Sequence, residues 1–203
     1  MKPKRSALSV WPVTPERWPD LVALFGPKGA CAGCWCMWMR LPLADFRRGK
    51  GAGNRRALRR LVGSRPPGLI AYDGDAPVGW IAVAPREEYV RLQNSRVLAP
   101  VEGEGVWSAP CFYVAASHRE RGLNGVLLAA AAEWAAANGA RGLEGYPTVN
   151  RKARQPAAFV WTGFESTFRR AGFCEIARRS PTRPILRRAL TPRRRTTAGK
   201  SRG

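Results

Sequence analysis

No run in this chain reaches the roughly 18 to 20 uninterrupted apolar residues that a membrane-spanning helix needs. The basic N-terminus leads into Trp11, Pro12 and Pro15 instead of the apolar centre of a secretory leader. These absences point to a cytoplasmic protein without a membrane partner. Histidine occurs once, as His118, and no second C-x-x-C follows Cys31-Ala-Gly-Cys34. A structural zinc site wants four ligands, so no metal is expected. Five cysteines, an odd number with one tight cluster, do not make the framework of a secreted disulfide domain, and reduced thiols are expected. Acidic residues are scarce as well: 14 Asp and Glu face 35 Lys and Arg, for a formal charge of +21.

Such a charge suits anionic partners, because Lys and Arg gain affinity by releasing counterions from phosphates. Part of it lies in the chain ends, and Arg outnumbers Lys alongside abundant Ala, Gly and Pro, as a compositional bias of the coding sequence would produce. That bias leaves the shortage of acids unexplained. Attraction of phosphorylated ligands follows, and a basic nucleic-acid or ribosome-associated binding protein without turnover stands as the alternative function.

What is present suffices for one well-filled α/β domain: 203 residues, 45% of them hydrophobic, with eight Trp to build a core. Residues 6–190 are expected to form it, with 1–5 and 191–203 as mobile basic tails. Ser6 to Val13 reads as a strand. A helix follows from the spacing of Trp18, Leu21, Val22 and Phe25, with Thr14 as N-cap and Pro15 in the first turn. Gly26 to Gly33 reads as loop. Asn54 to Val62 reads as helix, with Ala57, Leu58, Leu61 and Val62 on one face and a solvated face of Arg55, Arg56, Arg59 and Arg60.

Gly68 to Tyr72 and Val78 to Ala84, joined through Asp73-Gly74-Asp75, read as a hairpin, since Asp-Gly supplies the positive φ that tight hairpin turns require. Pro85 to Ser95 reads as a short helix or turn. Val106 to Val114 is rich in β-branched and aromatic residues and reads as a strand, followed by a helix from Asn124 to the stop at Asn138-Gly139. Leu143 to Tyr146 is a short strand and Glu165 to Ala171 a short helix. Cys174 to Ala177 and Ile185 to Leu190 are closing strands.

The chemistry concentrates in Val114-Ala-Ala-Ser-His-Arg119-Glu-Arg-Gly122-Leu-Asn124-Gly125, where a strand feeds a basic, glycine-containing turn that opens a helix. Unpaired N–H groups at a helix start point outward, the helix dipole favours negative charge there, and glycine lets backbone approach an oxygen. Arg119 and Arg121 add charge.

This segment resembles the acetyl-CoA-binding motif of the GNAT N-acetyltransferases, written R/Q-x-x-G-x-G/A, with Arg119 and Gly122 in the matching places and Asn124 where Gly or Ala is usual. The short helix before Gly172-Phe173 is a second family mark. The Cys-Trp-Cys-Met-Trp segment at 34–38, with Ala84-Pro-Arg-Glu-Glu-Tyr89 and Glu144-Gly-Tyr-Pro147, looks like a GNAT subgroup.

The resemblance implies a mixed, mostly antiparallel α/β sheet with helices on both faces, splayed between the fourth and fifth strands. It implies transfer of an acetyl group from acetyl-CoA, as co-substrate, to a primary amine of a small molecule or a protein by direct attack on the thioester. Backbone of Phe112, Tyr113 and Val114 would pair with pantetheine, and Arg119, Arg121, Gly122, Leu123, Asn124 and Gly125 would hold the phosphates.

Catalytic groups are less marked. Many family members use as acid a Tyr four residues before the Gly of the Gly-Phe pair, and here that residue is Phe168. Tyr146, Tyr113 or water are substitutes. For the base, Glu144 and Glu88 are the candidate carboxylates, with Glu87 beside Glu88. His118 is expected to cap the turn or contact phosphate. Cys31, Cys34 and Cys36 with Trp35 and Trp38 are read as a lid over the acceptor pocket, with plain core packing as the other reading.

Overall fold

The computed structural model describes residues 8–149 and 161–192. Among these residues, alternating and β-branched segments form seven strands: β1 (Leu8–Pro12), β2 (Gly68–Asp73), β3 (Ala76–Pro85), β4 (Val106–Val114), β5 (Gly142–Gly145), β6 (Cys174–Arg178) and β7 (Pro184–Ala189). They lie in one sheet in the order β1-β2-β3-β4-β5-β7-β6. Every neighbouring pair is antiparallel except β4 and β5, which run parallel. The hairpin at Gly74 forms as the sequence suggests, with Asp73 opposite Ala76. Of its two central residues only Gly74 takes a positive φ, 60°.

Among the described residues six α-helices pack around the sheet: α1 (Trp18–Phe25), α2 (Leu43–Arg48), α3 (Ala52–Ser64), α4 (Val90–Gln93), α5 (Leu123–Ala137) and α6 (Glu165–Arg170). Alternation along β2 and β3 divides the core. Leu69, Ala71, Ile81 and Val83 face α5, which buries Leu127, Leu128 and Ala131 against them. Burying each of those leucines contributes roughly 2 kcal/mol. Ile70, Tyr72, Trp80 and Ala82 face the other way, onto α1, α3 and the Trp35–Met37 segment. A third cluster around Tyr89, Leu98, Tyr146 and Ile185 closes the far end. This is the mixed, mostly antiparallel sheet with helices on both faces that the resemblance implied.

Several local features differ from the sequence expectation. Pro15–Arg17 is a 3₁₀ turn and α1 starts at Trp18, while the Thr14 side chain caps neither. α3 starts at Ala52, two residues early, because Gly51 turns the chain with φ 82°. α2 has no counterpart among the expected elements: six residues that bury only Phe46 are too short to show a helical period. β5 is Gly142–Gly145, one residue ahead of the expected strand. Of the expected tails at 1–5 and 191–203, residues 1–5 and 193–203 lie outside the described residues.

Candidate active site

The strand pair β4–β5 stays in register only over Val106–Ala109 opposite Gly142–Gly145. Beyond that the strands separate, so Pro110 to Val114 present an edge to a gap. Pro110 lies where the β3–β4 register slips between Ala82 and Ala84, and a residue without an N–H is tolerated at such an irregularity. Ala115 N–H donates to Val78 O on β3 at 2.9 Å. By the alternation of an antiparallel ladder, the N–H and C=O groups of Phe112 and Val114 therefore face the gap. Phe112 N–H already has a partner there, the carbonyl of Trp161 at 2.7 Å.

At the end of β4 the chain makes a 3₁₀ turn, Ala116–His118, then passes through Glu120 (φ 61°) and Gly122 (φ 80°) into α5. Gly122 is the N-cap in left-handed conformation, no side chain caps the helix, and no acidic residue occupies its first turn. Dipole and open N–H groups are therefore offered to a ligand. Gly79 sets the position of this helix end, since a β-carbon there would stand 2.9 Å from Leu123 Cδ2. Arg119 Nε donates to Val114 O at 3.1 Å, which ties the basic turn to the strand edge. His118 is held between Asp73 Oδ2 and Ser117 Oγ, each at 2.9 Å.

A cavity of about 670 Å³ joins these parts. Its walls include Pro110 to Val114, with Arg119 and Asn124 among them, and residues from the segment before α2, with Lys50 and Trp161. Asn124 Oδ1 is buried without a hydrogen-bond partner, the condition that a polar ligand satisfies. Gly122 and Gly125 have nothing within 4 Å of where a β-carbon would sit, so space is open above the helix start. These features fit the phosphate and pantetheine portions of an acyl-CoA.

Of the residues singled out from sequence, Phe112, Tyr113, Val114, Arg119 and Asn124 line the cavity. Arg121 and Gly122 belong to the adjoining turn, Gly125 lies in the first turn of α5, and Leu123 turns its side chain into the core, where it is buried. The two carboxylates are elsewhere. Glu144 is fully buried and accepts from Arg187 Nη2 at 2.6 Å, Arg187 Nε at 3.1 Å, Arg86 Nη1 at 3.3 Å and Tyr146 Oη at 2.9 Å. Glu88 pairs with Arg40 at 2.6 Å and with Arg65. Neither is a cavity wall residue. Tyr146 Oη also bonds Ser108 Oγ at 2.7 Å, and burial together with the Glu144 charge pushes its phenol well above the ordinary value.

Phe168, the position that the resemblance associates with an acid, is fully buried and packs edge-on to Phe112 and Phe173, at 5.8 and 5.1 Å between centroids. The cysteine segment divides between the two readings. Trp35 and Met37 are core, whereas Cys31, Cys34, Cys36 and Trp38 reach the cavity. Burial, then the neighbouring Cys36, pushes the Cys34 thiol up to about 12. Sequence reasoning missed Lys50, Trp161 and the partnership of Cys36 with Cys111. Only the side-chain alternation that puts Cys111 and Tyr113 on one face of β4 hinted at the last.

The family model for the acetyltransferase (GNAT) family matches residues 35–157, more than half of the chain. The chain belongs to the GNAT family. The fold of this GNAT protein is shared by a GCN5-related N-acetyltransferase from Kribbella flavida, at 21% identity over 91% of this chain and 98% of that one, with a TM-score of 0.54. It is similar also to the PaiA N-acetyltransferase from Thermoplasma acidophilum, solved in complex with coenzyme A, at 11% identity, 91% and 99% coverage and a TM-score of 0.52. An acetyltransferase from Thermus thermophilus aligns at 20% identity, 92% and 99% coverage and a TM-score of 0.50. No curated protein matches the chain.

Proposed function

We propose that this GNAT protein transfers an acetyl group from acetyl-CoA to a primary amine by direct attack on the thioester. The observation that carries the reading is the continuity of one cavity from the splayed edge of β4 to the uncapped start of α5. Arg119, Arg121 and the first open amides of α5, at Leu123 and Asn124, would hold the phosphates, with Gly125 leaving space beside them, its own N–H donating to Gly122 O at 2.9 Å. Val114 turns its backbone groups to the gap, and its N–H is the main partner for pantetheine, since its carbonyl accepts from Arg119 Nε at 3.1 Å. Phe112 can join it only if the Trp161 carbonyl releases its N–H. The PaiA structure with coenzyme A gives a solved case of this fold holding the same class of ligand.

In the reaction, the amine nitrogen bonds to the thioester carbonyl carbon, the oxygen gathers negative charge that a backbone N–H at the β4 edge stabilises, and the C–S bond breaks to release a thiolate that takes its proton from water. No carboxylate or imidazole stands among the described residues of the cavity wall. The amine therefore loses its proton to water, or arrives neutral. Glu144 and Glu88 then serve the fold, each holding two guanidinium groups in place.

Calorimetric titration with acetyl-CoA tests the first half, and an amine panel followed by thiol release tests the second. Saturable sub-millimolar binding that disappears in Gly122→Glu is expected; no binding in the wild-type chain would overturn the reading.

A further inference from the structure

Four thiols, Cys31, Cys34, Cys36 and Cys111, reach the cavity, and the acyl transfer uses none of them. Two of them touch. Cys36 Sγ and Cys111 Sγ stand 3.2 Å apart although 75 residues separate them in sequence. Each comes from a well-held element. Cys36 receives the Trp80 Nε1–H at 3.0 Å, and Trp35 and Cys36 carry positive φ values of 46° and 51°, a conformation that L residues rarely adopt. Cys111 is fixed on β4 opposite Ala82. No group of three His, Cys, Asp or Glu among the described residues is arranged to share a metal ion. Two adjoining thiols are placed for thiol–disulfide exchange.

We propose that Cys36 and Cys111 are a redox-active dithiol that closes to an intramolecular disulfide when a small disulfide of the CoA class enters the cavity. Closure is a short movement: sulfurs now 3.2 Å apart must approach to about 2.05 Å. Cys111 is the more exposed of the two, and its thiolate attacks one sulfur of the incoming RS–SR. The new Cys111–SR bond forms as the S–S bond breaks, and RS⁻ leaves to be protonated by water. Cys36, having given its proton to water, then attacks the Cys111 sulfur and expels the second RS⁻. Two protein thiols are oxidised and one disulfide is reduced to two RSH, with two electrons and two protons balanced.

The oxidant's identity rests on the acyl-CoA reading of the cavity, whereas the dithiol rests on geometry alone. Hydrogen bonding to Cys36 and burial raise the Cys111 thiol well above its ordinary value. Exchange is accordingly slow at neutral pH and faster in alkali, and once closed the disulfide is slow to reopen by expulsion of Cys111. The bond would tie the segment between α1 and α2 to the β4 edge, shortening the unfolded chain's freedom by a loop of 75 residues.

The test uses the full reduced chain at mildly alkaline pH, incubated with CoA disulfide or, separately, with glutathione disulfide. Intact mass and a non-reducing peptide map should show a loss of about 2 Da and a linked Cys36–Cys111 peptide. Tm should rise by roughly 5 to 10 °C. The linkage should persist in the double variant Cys31→Ser/Cys34→Ser and vanish in Cys36→Ser and in Cys111→Ser. CoA disulfide should react roughly tenfold faster than glutathione disulfide at equal concentration, because its carrier is held at the site. A Cys31–Cys34 linkage, a persisting mixed disulfide, or no mass change with either reagent overturns the dithiol. Equal rates with the two reagents overturn the CoA oxidant and leave the dithiol standing. Absence of acetyl-CoA binding by the reduced chain strikes the acyltransferase reading separately.

Discussion

The ring of Phe168 rests on the α-carbon of Gly145, so closely that a β-carbon on Gly145 would stand 1.9 Å from Cε1 and 2.5 Å from Cζ. The ring also meets the Phe112 ring edge-on, at 5.8 Å between centroids. The helix position that the family resemblance associates with an acid is thus packed into the sheet. Phe168→Tyr is expected to bury a hydroxyl without a partner and to cost about 1 to 3 kcal/mol, with no gain in turnover. Gly145→Ala should cost at least as much, since the new methyl overlaps the ring. Urea unfolding of both variants, with thiol-release rates for the first, checks this, and a faster Phe168→Tyr enzyme would contradict it.

Glu144 holds Arg86 and Arg187, which in turn hold the carbonyls of Val101, Glu102 and Gly103. Glu144→Gln leaves two guanidinium groups near a neutral amide, and a loss of about 3 to 5 kcal/mol is expected from breaking a buried charge network. A structural role predicts lower stability with kcat nearly retained in the folded fraction at low temperature. A kcat loss of roughly a hundredfold or more with unchanged urea midpoint would instead make Glu144 the base.

Arg119 stands at the junction of strand edge and helix start. Arg119→Ala should weaken acetyl-CoA binding roughly tenfold, the lower part of the range for a charge-assisted bond, because the side chain is exposed. The difference from wild type should shrink as salt is raised. Binding that is unchanged in Arg119→Ala at low salt would remove Arg119 from the site.

With no carboxylate or imidazole on the described cavity wall, log kcat/KM should rise with pH until the acceptor amine itself is neutral. Acceptors of different basicity should move that limb by their own difference in pKa. A limb fixed between about pH 6 and 7 for every acceptor, the range of a tuned enzymic base, would show that such a base exists.

Alkaline stability should follow the buried phenols. Burial pushes Tyr89 up to about 12, and Tyr146 is raised in the same direction. Both states keep the proton below the unfolded value of about 10, so the stabilisation is complete there. Above it the unfolded chain releases protons that the folded chain retains, and stability falls as pH rises through 10 towards 12. The urea midpoint measured from pH 8 to 11.5 should decline, and Tyr89→Phe should flatten part of that decline; an unchanged slope would be contrary to this account.

The sequence by itself determined the elements that local chemistry specifies. The Gly74 hairpin, the β-rich Val106–Val114 and the Gly122 entry into α5 were legible because turn geometry, β-propensity and helix-start chemistry act over a few residues. So was the basic turn at Arg119. The helix α2 was not, since a single buried Phe46 leaves no period to read.

Tertiary structure alone decided which side chains meet. Glu144 on a short strand has the look of a base until Arg86 and Arg187, 58 and 43 residues away, converge on it. Phe112 would be free for a ligand but for the Trp161 carbonyl on its N–H. Cys36 and Cys111 lie 75 residues apart, and beyond the alternation along β4 no local spacing announces their contact. A side chain's charge and reactivity depend on the groups within a few ångströms of it, and those neighbours are set by the packing of the sheet, which no local spacing encodes.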